Sequence, residues 1–160
     1  MILRLFSRLF SPSATRTKTH ALYVQAVAAA RAPHFYEHYG VADTIDGRFD
    51  MIALQVFLRS RALEDSHERD ALMERMIADM DRSLREMGVG DVGVAKRVEK
   101  MAYALNGRMH AYEQAWGASE TLAEALWRNV YRSDEAKREA SVQLAQMLLA
   151  QDTHSSEHAA

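Results

Sequence analysis

Cysteine is absent from the 160-residue chain. Disulfides, thiolate metal sites and cysteine nucleophiles are thereby excluded, and a reducing compartment is allowed. Proline occurs twice and glycine seven times, so helix breakers are scarce and long helices can run on. No apolar run approaches the ~20 residues of a membrane span, and no stretch alternates as a half-buried strand would. There is no H-E-x-x-H, no nucleophile elbow and no acid pair with an evident cleft. The expectation is a protein that is not an enzyme and carries no cofactor and no metal.

What is there describes one domain with a real core: 48% of residues are hydrophobic and 26% charged, the balance of a soluble globular chain. The net charge of −2 is uneven. Residues 1–40 hold Arg4, Arg8, Arg16, Lys18 and Arg31 against Glu37, so a basic start precedes an acidic body. "MILRLFSRLF" places Leu3, Phe6 and Phe10 on one helical face with Arg4 and Arg8 opposite. Residues 1–10 thus have the form of a short amphipathic anchor for a membrane surface or a partner. Residues 1–18 are expected to form this basic arm and a linker, 19–150 a helical domain, and 151–160 a disordered polar tail.

The body is expected to be all-α: a single compact domain of about six helices. Residues 19–32 form an alanine-rich helix stopped by Pro33. The stretch from Arg48 onward is apolar nearly all round, through Phe49, Ile52 and Val56 on one side and Met51, Leu54 and Leu58 on another, and so belongs at the centre. Residues 67–87 carry a stripe of Met73, Met76, Ile77, Met80, Leu84 and Met87, and 92–116 repeat the pattern. Two shorter helices follow, with Ser119 and Ser133 as expected caps.

"MGVGDVGV" reads G-x-G-x-x-G through Gly88, Gly90 and Gly93. A dinucleotide fingerprint needs a strand before it to aim the turn at the pyrophosphate, whereas a long amphipathic helix precedes this one. The expected structure is a corner: Gly88 left-handed at a helix end, Gly90 in the turn, and Asp91 as the next N-cap. His34 and His38 stand four apart, a spacing that could share a metal on a helix, but no third ligand is fixed. Arg48 falls near a helix start, where the macrodipole disfavours a cation, with Asp43, Asp46 and Asp50 near enough to neutralise it. In "DMDRSLRE", Asp81 can reach Arg85 and Arg82 can reach Glu86. Methionines on the stripe could leave a partly open, adaptable apolar groove.

Several segments together resemble the ubiquinol–cytochrome c chaperone family: "ARAPHFY", "GVADTIDGRFDMIALQVFL" and "MIADMDRSLREMGVGDVGVAKRVEKMAYALNGRMHAY", in order across about residues 30–112. The resemblance implies a non-enzymatic helical assembly factor that binds newly made cytochrome b during biogenesis of the respiratory bc complex. Mitochondrial relatives act with a second assembly factor and near the ribosomal exit, which makes both candidate partners here. The start is short and has no long Ser/Arg-rich leader, so a bacterial form is expected, cytoplasmic and peripheral at the inner membrane. By position the motif residues are Tyr36, Gly40, Asp43, Gly47, Arg48, Phe49, Asp79, Asp81, Leu84, Arg85, Gly88, Gly90, Asp91, Gly107 and Arg108. Arg82 joins them on the same face, where it and Arg85 could meet polar loops of a client. The alternative, a helical protein associated with ribosomes or nucleic acid, would need a basic face on a body that is acidic, and no sequence-specific nucleic acid is expected.

Overall fold

The computed structural model describes residues 13–157, with side chains from 15 to 152. The arm at residues 1–10 lies outside them. Among the described residues there are seven α-helices, one 3-10 turn and no strand. They are α1 (Ser13–Ala30), α2 (Pro33–Glu37), α3 (Ile45–Arg61), α4 (Ser66–Glu86), α5 (Asp91–Ala115) and α6 (Ser119–Asn129). The 3-10 turn (Glu135–Lys137) and α7 (Arg138–Glu157) complete the chain. α1 begins six residues before the expected helix, within the stretch assigned to the linker, and α7 continues to Glu157, into the stretch assigned to the tail. Asp152 on that extension accepts from the Trp116 indole N–H at 2.9 Å.

α3 is central for the reason its sequence gives: it is apolar on two faces and buries both. Met51, Leu54 and Phe57 join Tyr112 of α5, Leu122 and Leu126 of α6, and Leu144 and Leu148 of α7. Ala53 and Val56 join Tyr23 and Ala26 of α1, Leu72, Met76 and Met80 of α4, and Leu105 of α5. The methionine stripe is therefore mostly core. Met76 and Met80 are buried and Met73 packs partly against them, leaving Met87 as the exposed member. A stripe of that width on a helix lying against two others is covered by them, so no open methionine groove forms.

Local chemistry sets the ends. α1 stops before Pro33, which opens α2 at its first position. α3 starts at Ile45 rather than Arg48, because the Thr44 hydroxyl accepts from the Gly47 amide at 3.1 Å and caps it. α4 is capped by Asp65. At its far end Gly88 has φ +79°, its amide donates to the Arg85 carbonyl, and Val89 donates to Leu84. That is the paired closure a left-handed residue permits. The corner is as expected except for its cap. Gly90 takes the N-cap position, and Asp91, first in α5, turns its carboxylate to Arg85 at 2.5 Å. Ser119 and Ser133 do not cap either. Ala118 precedes α6 without a side-chain cap, and Asp134 accepts from Ala136 before the 3-10 turn.

Candidate functional site

Most of the residues that the family resemblance singles out fall into three places. The first is a cleft of about 590 Å³ between the end of α1, the short α2 and the head of α3. Tyr36, Asp43 and Arg48 line it, with Ala30, Arg31, Pro33, Glu37 and Ile52. Each wall has a local cause. Pro33 turns the chain from α1 into α2, and Phe35 is buried beneath, so Tyr36, half-buried, lines the cleft. Its hydroxyl donates to the Ala30 carbonyl at 2.7 Å, satisfying one of the orphan acceptors at the end of α1. The loop then returns across the head of α3, held by the Val41 amide on the Phe35 carbonyl at 3.0 Å.

Gly47 allows that return. It is buried, and a Cβ there would sit 1.9 Å from the Ala42 carbonyl oxygen, so only glycine accepts the close crossing. The crossing sets Asp43 beside Arg48, whose Nε donates to Oδ1 at 2.7 Å. Both side chains are about 60% exposed (63% and 60%). The Arg48 hydrogen bond holds the Asp43 carboxyl below its ordinary value. Burial, and then the charge of Asp43, push the Tyr36 hydroxyl above its own. Of the three aspartates near Arg48 in sequence, Asp43 is the one that pairs with it.

The second place lies behind the cleft. Asp50 is fully buried, and it binds Arg108 of α5 (Nη2 to Oδ1, 2.8 Å) and Arg132 beyond α6 (Nε to Oδ2, 3.0 Å). Arg132 also reaches Asp46 at 3.5 Å. Burial pushes the Asp50 carboxyl above its ordinary value, against the pull of Arg108 and Arg132. The Arg108 guanidinium lies 5.4 Å from the centre of the Phe49 ring, within reach of a cation–π contact. Phe49 and Arg108 are thus joined on one side of α3, with Asp50 as the carboxylate between helices. Nothing in the spacing names Arg132, which is 82 residues away. A carboxylate inside a helix apolar all round is nevertheless a signal that a cation must come from elsewhere.

The third place is the outer face of α4 and its corner. Asp79 accepts from the Tyr23 hydroxyl of α1 at 2.8 Å and from Arg82. Arg85 bridges Asp81 at 2.7 Å and Asp91 at 2.5 Å, and Arg82 also lies 3.9 Å from Glu86. Asp79, Asp81, Arg82, Arg85, Gly88, Gly90 and Asp91 are together here, and none of them lines the cleft. Gly107 stands exposed on α5, where an added Cβ would meet open space. The sequence reading did not single out Arg31, Glu37 and Ile52 as site residues; the turn at Pro33 brings the first two beside α3. Among the described residues no group of three or more His, Cys, Asp or Glu could hold a metal ion, so His34 and His38 gain no third ligand. No described helix is long and apolar enough to cross a membrane.

A family model described as ubiquinol-cytochrome C chaperone matches residues 37–159. The chain is also similar to the crystal structure of the Cbp3 homolog from Brucella abortus. The two are 34% identical with a TM-score of 0.72, covering 93% of this chain and 84% of that one. No curated protein matches the chain.

Proposed function

The chain belongs to the ubiquinol-cytochrome C chaperone family, the assembly chaperones of the bc complex, and from that premise we propose that it holds newly made cytochrome b in the cleft at the head of α3. The observation that carries the reading is the composition of the cleft. Pro33 and Ile52 supply apolar surface, while Arg31, Glu37, Asp43 and Arg48 supply charge of both signs beside it. Cytochrome b is a chain of apolar spans joined by polar loops, and its early form exposes both kinds of surface together. A volume of several hundred cubic ångströms suits a few side chains of such a segment rather than a whole span. The action is binding without catalysis, at the cytoplasmic face of the membrane where the client emerges. A ribosome or a second assembly factor would be met there.

The test is affinity capture from cells with translation running or blocked, scored for cytochrome b, ribosomal proteins and other assembly factors. Wild-type protein should retain cytochrome b, and Arg31→Glu with Arg48→Glu should lose most of it while keeping the same melting temperature. Undiminished retention by that variant would remove the cleft from the reading. Absence of cytochrome b from the wild-type capture would remove the client.

A further inference from the structure

From the outward face of α5 we infer a docking surface for anionic phospholipid headgroups, separate from the cleft and independent of which client the protein holds. α5 turns Val94, Leu105, Tyr112 and Ala115 into the protein. The opposite stripe runs through Val92, Lys96, Glu99 and Tyr103, at steps of three and four residues, for about 16 Å of helix. Val92 is 74% and Tyr103 84% exposed, and Met87, just before the corner, is 58% exposed. These are among the most exposed large apolar side chains of the described residues.

Charge distinguishes this face from the neighbouring end of α4. At the C-terminal end of α4 the exposed arginines are paired with carboxylates: Arg82 with Asp79, and Arg85 with Asp81 and Asp91. On α5, Lys96, Arg97 and Lys100 follow one another with Glu99 as their only acidic neighbour in the run. None of the three takes part in an ion pair among the described residues. Asp91 at the head of the helix shares the single charge of Arg85 with Asp81. A locally positive, partner-free strip on an otherwise acidic body is complementary to an anionic surface.

The side chains on it suit lipid better than nucleic acid. Tyrosine sits with its ring in the apolar edge and its hydroxyl in the headgroups, and lysine stems lie along apolar surface while their ammonium groups reach phosphate. Val92 and Met87 add area that a phosphate backbone would not use. The contact is peripheral and reversible, because one helix face with two lysines beside Glu99, and Arg97 at its flank, holds a membrane only weakly.

The experiment is co-sedimentation of the full chain with vesicles rich in phosphatidylglycerol, and with pure phosphatidylcholine, without any client. Wild-type protein should bind the first and not the second. Lys96→Glu with Lys100→Glu should weaken binding by at least about tenfold, since each cation near an anionic surface contributes severalfold. Val92→Ser with Tyr103→Ser should weaken it less, and circular dichroism should be unchanged in both because all four positions are exposed. A third full-chain variant, Leu3→Ser with Phe6→Ser, separates the arm from the face. Wild-type failure to bind anionic vesicles would overturn the inference, as would binding lost only in the arm variant. So would capture of structured RNA, in place of vesicles, by a route the α5 variants abolish.

Discussion

Replacing Gly47 by alanine should destabilise this protein, although alanine is the better helix former. Gly47 is buried in the first turn of α3. Helix propensity alone would favour alanine by about 1 kcal/mol. Against that, the new methyl would lie 1.9 Å from the Ala42 carbonyl oxygen and 3.0 Å from its carbon. A carbon and an oxygen need roughly 3.3 Å, so the loop would have to retreat by about 1.4 Å. The obstacle is backbone, so no side-chain rotation can relieve it. Forced backbone shifts of this kind cost about 1–3 kcal/mol, and moving Thr44 with the loop weakens a cap worth about 1 kcal/mol. Net of propensity, the loss should be about 1–3 kcal/mol, or about 2–12 °C in melting temperature for a chain of this size. Urea unfolding followed by circular dichroism measures it. Gly107→Ala is the internal reference, because its Cβ meets nothing, and it should gain about 0.5–1 kcal/mol. If the two variants shift the midpoint in the same direction, the crossing of Ala42 over α3 is not what fixes Gly47.

Gly88→Val should cost about 1–2 kcal/mol in the same assay, since φ +79° is unfavourable for a β-branched residue even where its Cβ has room; equal stability would mean the corner does not need a left-handed residue. The Asp43 carboxyl should titrate below an ordinary aspartate in a carbon-detected NMR experiment and return toward it in Arg48→Ala. Because its folded value is depressed, whatever the pair contributes is present above the ordinary aspartate range and is lost as pH falls through the folded value. An unchanged titration in Arg48→Ala would show that the pair is not formed in solution. Replacing both Arg82 and Arg85 by glutamine should lower melting only modestly, as exposed pairs are worth about 0–1 kcal/mol each. If the cleft alone holds the client, cytochrome b retention should also stay intact. A fall in retention at constant stability would extend the client site onto α4.

The parts legible in the sequence are those written at short range. α3 announces its central position because six apolar residues between Phe49 and Leu58 leave it no polar face, and the two core clusters meet on it. The glycine corner is legible because the residues before it have a helical rather than a strand period, and Gly88 closes α4 as that context requires. What escaped depends on distant chain. "DTIDG" has the composition of a turn, yet its last three residues are already helical once Thr44 caps Gly47. Asp50 looks like a neutraliser for Arg48, two residues away. On a helix that separation points the side chains in different directions, and the partners come instead from α5 and from beyond α6. The cleft itself has no sequence signature, because its walls are three segments brought together by Pro33 and by the crossing at Gly47.

On the function proposed above, the cleft would hold a chain, and its geometry suits that task. The Tyr36 hydroxyl already donates to the Ala30 carbonyl, so its proton is committed to the fold. Arg48 gives its Nε to Asp43, which fixes the direction of the guanidinium. A guanidinium carries five N–H donors, so after one bond to Asp43 it still has donors for the carbonyls and carboxylates of a polar loop. Ile52, one turn further along α3, presents the apolar surface that a hydrophobic span would cover. Asp50, on another face of the same helix, is tied to Arg108 and Arg132, so that wall is fixed by charges from the C-terminal half of the chain. A cation held in direction but not used up, beside apolar surface on a braced helix, can meet the junction between a membrane span and its loop. A client of alternating spans and loops offers that junction repeatedly.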